Sequence, residues 1–80
     1  MVEAALKNEL RLYEAAIQRT DERLEEFETK YGYSTEEFIQ RFRNDEFPET
    51  MEFFEWIGEY RMRKRLEQKA EAFREIQIVD

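Results

Sequence analysis

The sequence predicts an all-α fold, a long antiparallel helical hairpin with a short helix between its two long helices. Two observations point to this class. Apolar residues recur at helical spacing along most of the 80 residues. Only two Gly and one Pro are present, too few turn formers for an all-β fold. We expect a single helical domain over residues 1–80, with helices at 2–31, 35–44 and 49–75 and a short apolar tail at 76–80.

A heptad pattern of the coiled-coil type predicts the first helix, over residues 2–31. Eight residues follow one another at alternating spacings of four and three, which keeps them on one stripe: Leu6, Leu10, Tyr13, Ile17, Thr20, Leu24, Phe27 and Tyr31. A helix of about 28 residues is roughly 42 Å long. A compact chain of this size cannot enclose such a helix on all sides, so we expect a second long helix beside it.

The connection after Tyr31 carries an end signal and a start signal. Gly32 can adopt the left-handed conformation that ends a helix. Ser34 and Glu37 match a capping box, in which the Ser hydroxyl accepts from the Glu37 amide and the Glu side chain returns to the Ser34 amide. A second helix is therefore expected over 35–44, and its buried face is formed by Phe38, Ile39 and Phe42.

The third helix is predicted over 49–75, because Pro48 suits a first helical turn and only Gly58 interrupts the helix-forming residues after it. Large apolar residues cover more than half of its circumference at first and then narrow to one stripe, which we expect to pack on the first helix: Met62, Leu66, Ala70 and Phe73. The tail at 76–80 is rich in β-branched residues and is expected to fray or to lie extended.

A hairpin this small buries little surface per residue, roughly 60% of that of its extended chain. Pairing of two hairpins through the heptad face would form a homodimeric four-helix bundle. A monomer stabilised by the second helix is the alternative.

The amino-acid composition restricts the classes of function that we expect for this chain. The chain contains no Cys and no His, so it lacks thiolate and imidazole, and we expect neither an enzyme, nor a cofactor, nor a metal site. No segment approaches the roughly 18 uncharged apolar residues that a membrane span needs. Its first residues do not match a secretion signal, so we expect a cytoplasmic protein without membrane contact.

A protein partner is the leading expectation, and aromatic residues provide the candidate contacts. Nine of the twelve aromatic residues lie between Tyr31 and Tyr60, more than three slender helices are expected to hide. Six acids and no base lie between residues 45 and 59, and the net charge is −7, which favours a basic partner. The predicted partner-binding residues are Phe53, Phe54, Trp56, Ile57, Tyr60, Glu52, Glu55 and Glu59. The alternative is that these aromatic residues form the hydrophobic core of the protein.

A basic run on the third helix offers a different contact. Four cations share one side of that helix and are candidates for an acidic partner or for nucleic-acid phosphates: Arg61, Lys64, Arg65 and Lys69. No aromatic residue lies among them to stack on a base, and the overall charge opposes a nucleic-acid backbone. A nucleic-acid binder is therefore one alternative, and a homodimeric structural or scaffold protein is the other.

The central part of the chain resembles a known family. The residues are the segment 31–38 (YGYSTEEF), then Phe42, 47–49 (FPE) and 53–56 (FFEW). They resemble small helical antitoxin-like proteins of archaeal and bacterial toxin–antitoxin modules, of the TumA-like type. The resemblance implies a helical antitoxin that neutralises an RNase-type toxin by covering its active surface. It implies no catalytic residues.

Overall fold

The computed structural model describes the backbone of residues 2–78, with the side chains of residue 5 and residues 7–76. It contains three helices, α1 (Val2–Tyr31), α2 (Thr35–Arg43) and α3 (Met51–Ile78), and no strand within the described residues. The two long helices pack against each other, and the molecule measures 50 × 20 × 18 Å. The predicted all-α class is confirmed.

Ion pairs between α1 and α3 establish that the helices run antiparallel. Lys30, near the end of α1, lies 2.6 Å from Glu52 at the start of α3. At the opposite end, Glu14 lies 3.5 Å from Arg74. The short α2 occupies the connection, as the hairpin prediction requires, and dimerisation stays a prediction.

The turn between α1 and α2 follows the local signals closely. Gly32 adopts a φ of +76°, and its amide donates to the Glu28 carbonyl at 2.8 Å. The Ser34 hydroxyl accepts from the Glu37 amide at 3.2 Å, so the first half of the capping box is confirmed. The second half is replaced, because the Glu37 carboxylate accepts from Arg41 one turn later at 3.0 Å.

A Schellman motif ends α2. The Asp45 amide donates to the Phe42 carbonyl at 3.1 Å, and the Glu46 amide donates to the Arg41 carbonyl at 3.0 Å. Asp45 takes the left-handed position with a φ of +58°, a place that usually goes to Gly. The helix ends one residue before the predicted boundary of 44, because Asn44 is its C-cap.

Both predicted boundaries of the third helix are corrected. It begins at Met51, not at residue 49, because the Thr50 hydroxyl caps the Phe53 amide at 3.1 Å and leaves Pro48 in the connection. At the other end α3 continues through Ile78, so the predicted tail is helical over 76–78. The β-branched residues there disfavour helix only weakly. Residues 79 and 80 lie outside the described part of the chain.

One aromatic ring from each helix forms the centre of the core. Phe38 of α2 stacks on Trp56 of α3 with ring centroids 3.9 Å apart and planes within 2°. Phe27 of α1 stacks on the same indole, with centroids 5.3 Å apart. Towards the other end, where α2 is absent, Ala70 is fully buried and Phe73 packs on Tyr13.

Candidate protein-binding surface

Two of the predicted contact residues, Trp56 and Phe53, lie in the core. Trp56 has no exposed surface, and Phe53 is 7% exposed, because α2 covers the side of α3 to which both point. Ile57 and Tyr60 are half-buried against the same core. In this fold Phe53 and Trp56 therefore cannot contact a partner directly.

Phe54, the next residue after Phe53, points away from this core and remains half exposed, at 49%. The Phe42 ring covers one edge of it, with centroids 6.1 Å apart. Met51, three residues earlier, is 86% exposed. Of the aromatic residues that the sequence predicts to be left for a partner, Phe54 is the exposed one among the described residues. Met51 lies beside it on the same side of the helix.

These two residues begin a longer stripe, which we call the outer face of α3. Its members follow at spacings of three, four and four, and so share one side of the helix: Met51, Phe54, Gly58 and Met62. Met62 was predicted to pack on the first helix, but its side chain is 46% exposed. Met62 is therefore largely a surface residue, whereas Ala70 of the same predicted stripe is fully buried.

Gly58 leaves a gap in the middle of this face. A Cβ atom built there would meet nothing within 4 Å, so the fold itself gives no packing reason for a glycine. Gly in a helix is about 1 kcal/mol less favourable than Ala. The outer face therefore has a notch at Gly58, between the exposed side chains of Phe54 and Met62, that would admit a close approach of another backbone.

Two of the predicted acidic contacts are engaged within the chain. The carboxylate of Glu55 lies 2.6 Å from Arg23 of α1, and that of Glu52 lies 2.6 Å from Lys30. The hydrogen bond from Lys30 holds the pKa of Glu52 below its ordinary value of 4.5. These acids link α3 to α1, whereas Glu59, half-buried, takes part in no ion pair among the described residues.

The four cations of the basic run are exposed. Within the described residues, no carboxylate pairs with its four members: Arg61, Lys64, Arg65 and Lys69. The Lys64 ammonium lies 4.8 Å from the centre of the Tyr60 ring. Arg63, on the adjoining side of the helix, is different, because it pairs with Asp21 and Glu67.

Met51, Gly58 and Met62 were missed as surface candidates by the sequence analysis. The signal was present, since their spacing with Phe54 repeats every three or four residues. In the sequence this spacing overlaps with that of the stripe that faces α1. The position of α2 is needed to tell the exposed stripe from the buried one.

The fold and this face define a small helical-hairpin protein with an exposed apolar surface on its last helix. Comparison with protein-family models, curated proteins and solved structures finds no match. No group of three potential metal ligands forms among the described residues. Within the same residues, no helix is both long enough and apolar enough to cross a bilayer.

Proposed function

We propose that this protein is a non-enzymatic binding module that receives a segment of a protein partner on the outer face of α3. The notch at Gly58 carries the proposal. Two exposed apolar side chains flank a position where the helix forgoes a side chain without any packing reason of its own. Exposed apolar residues around a close backbone approach are typical of protein interfaces.

The resemblance to antitoxin-like proteins supplies the partner class. An RNase-type toxin holds RNA phosphates with cations, and a net charge of −7 favours association with such a basic protein. On this proposal the module neutralises the toxin by covering its active surface. Phe54 and Met51 are the apolar anchors, and the surrounding acids contribute to the rate of encounter.

Gly58 allows a test in which stability and binding move in opposite directions. Gly58→Ala is expected to stabilise the isolated protein by about 1 kcal/mol, because Ala favours helix. The same methyl group occupies the notch and should weaken partner binding. Phe54→Ser should weaken binding by about tenfold or more, as expected for an interface anchor.

The partner for this test is the purified product of the adjacent reading frame. Calorimetry gives the affinity, and cleavage of an RNA substrate gives the neutralisation. Leu12→Ser is the matched control, since Leu12 is a 66% exposed apolar residue on α1, outside the outer face. Full binding by both the Gly58→Ala and Phe54→Ser proteins would exclude the outer face as the binding surface.

A homodimeric structural protein is the second candidate, and one observation favours it. At the end of the hairpin without α2, only two helices cover the heptad seam, so Tyr13 and Ile17 are half-buried. Leu12, beside the seam, is 66% exposed. Sedimentation of the isolated chain tests this candidate. A tight dimer that Leu12→Ser dissociates and Phe54→Ser leaves intact would support it.

A nucleic-acid binder is the third candidate, favoured by the unpaired cations of the basic run. Binding to single or double strands would then weaken steeply as salt concentration rises. Substituting Arg65 and Lys69 together by Gln should reduce the slope of that dependence. Absence of binding at low salt would dismiss this candidate.

A further inference from the structure

A cleft of about 400 Å³ lies between α2 and α3, beside the outer face. Its apolar lining comes from both helices and consists of Ile39, Phe42, Ile57 and Tyr60. None of the residues of the outer face lines it. The volume is within the range of about 300–1,000 Å³ that is usual for small-molecule sites.

Three cations surround this apolar lining. Arg43 comes from the last turn of α2, and Arg61 and Lys64 come from consecutive turns of α3. Asp45 is the acidic residue of the lining. The cleft therefore concentrates positive charge in a protein whose net charge is −7.

The three cations of the cleft, like Arg65 and Lys69, are not held in ion pairs among the described residues. Arg23, Arg74 and Lys30 each lie within 4 Å of a carboxylate. Within the described residues, Arg43, Arg61 and Lys64 have no such partner. Lys64 instead lies over the face of Tyr60, which keeps its ammonium at the edge of the apolar lining.

We propose that this cleft binds a small amphiphilic anion, an apolar group that carries a carboxylate or a phosphate. The apolar group would pack on Phe42 and Ile57. The anionic group would lie between Arg61 and Lys64 on one side and Arg43 on the other, where both helices supply cations. The apolar group is either a flat aromatic ring, as in an aryl phosphate, or an aliphatic chain, as in a fatty acid.

Two probes distinguish an aromatic from an aliphatic ligand, namely 1-naphthyl phosphate and dodecanoate below its critical micelle concentration. Inorganic phosphate is the reference. Each is titrated into the ¹⁵N-labelled full chain. Amide shifts are expected at residues 39–45 and 57–64 with one probe, and inorganic phosphate should bind at least tenfold more weakly than that probe. Equal affinity for inorganic phosphate would overturn the proposal, because the apolar lining would then contribute nothing.

Charge variants test the geometry. Arg43→Gln, Arg61→Gln and Lys64→Gln should each weaken binding of the better probe by roughly tenfold, the usual effect of losing a charged hydrogen-bond partner. Asp45→Asn removes the acid while still tolerating the left-handed backbone, so it should strengthen binding. Arg65→Gln and Lys69→Gln are the matched controls, since both are exposed cations of α3 outside the cleft.

Equal losses in the two control variants would show general attraction to a basic helix and would overturn the site. Amide shifts centred on Met51 and Phe54 would also overturn the site, because the probe would then bind the outer face. Tighter binding of a nucleic-acid strand, lost on substitution of Arg65 and Lys69, would overturn it as well. All of the substituted side chains are exposed, and circular dichroism verifies that each variant keeps its helices. Because none of these substitutions changes a residue of the outer face, failure here leaves the proposed partner binding unaffected.

Discussion

The indole nitrogen of Trp56 donates a hydrogen bond to the Thr35 hydroxyl at 3.1 Å, beside the stack of aromatic rings. That hydroxyl donates in turn to the Glu28 carboxylate at 2.8 Å, and the Thr35 amide donates to the same oxygen at 2.7 Å. The chain of hydrogen bonds joins α3 to α2 and α2 to α1. It satisfies a buried indole N–H and one of the amides that the start of α2 leaves without a helical partner.

Thr35→Val tests this connection. Valine keeps the shape of the side chain but leaves the Trp56 N–H unsatisfied, which should lower the free energy of unfolding by about 1–3 kcal/mol. Urea denaturation followed by circular dichroism measures it. Thr29→Val, at an exposed position of α1, is the control, and an equal effect of both substitutions would mean that the hydrogen bond contributes nothing.

Phe53 and Phe54 are neighbours with opposite environments, so the same substitution should have different effects at each. Phe53→Ala opens a cavity in the core and should lower the free energy of unfolding by about 3–5 kcal/mol. Phe54→Ala should lower it by about 1 kcal/mol or less, because its ring is 49% exposed. Thermal unfolding compares the two. A larger loss for Phe54 would contradict the assignment of the outer face.

The ion pair of Glu52 and Lys30 predicts a dependence of stability on pH. Because the hydrogen bond from Lys30 lowers the pKa of Glu52 in the folded state, its stabilisation is present above the ordinary value of 4.5. The stabilisation is lost as the pH falls through the lowered pKa. The difference in melting temperature between the wild type and Glu52→Gln should therefore shrink from pH 7 towards about pH 3.

Glu22→Gln is the control for this measurement. Glu22 is exposed and takes part in no ion pair among the described residues. Its substitution should leave the acid dependence of the melting temperature close to that of the wild type. If the difference in melting temperature between the wild type and Glu52→Gln stays constant down to about pH 3, the ion pair does not have this role.

Thr50 should account for the start of α3. Thr50→Ala removes the hydroxyl that accepts from the Phe53 amide and should destabilise the protein by about 1 kcal/mol. Thr50→Ser keeps an oxygen at this position and should restore most of the loss. Amide hydrogen exchange at residues 51–54 locates the effect. Equal exchange rates in the Ala and Ser variants would rule out the cap.

Features that depend on a few neighbouring residues could be predicted from the sequence. The heptad pattern predicts α1 over the range that is observed, and Gly32 and Ser34 mark the turn after it, because a left-handed residue and a side-chain cap are local requirements. The start of α3 was misplaced by two residues, since Pro48 and Thr50 are both compatible with a first turn or a cap.

The sequence by itself determined the helical class, the long first helix and the cap of the second, because hydrogen bonds within a few residues and the period of 3.6 suffice for them. Tertiary structure alone decided which aromatic residues are core and which are surface. The periodicity of the sequence defines the angles between side chains around one helix axis. It does not predict from which side a neighbouring helix packs. Where α2 packs on α3, Trp56 and Phe53 become core, and Phe54 and Met51 are left on the surface with Gly58 between them and Met62.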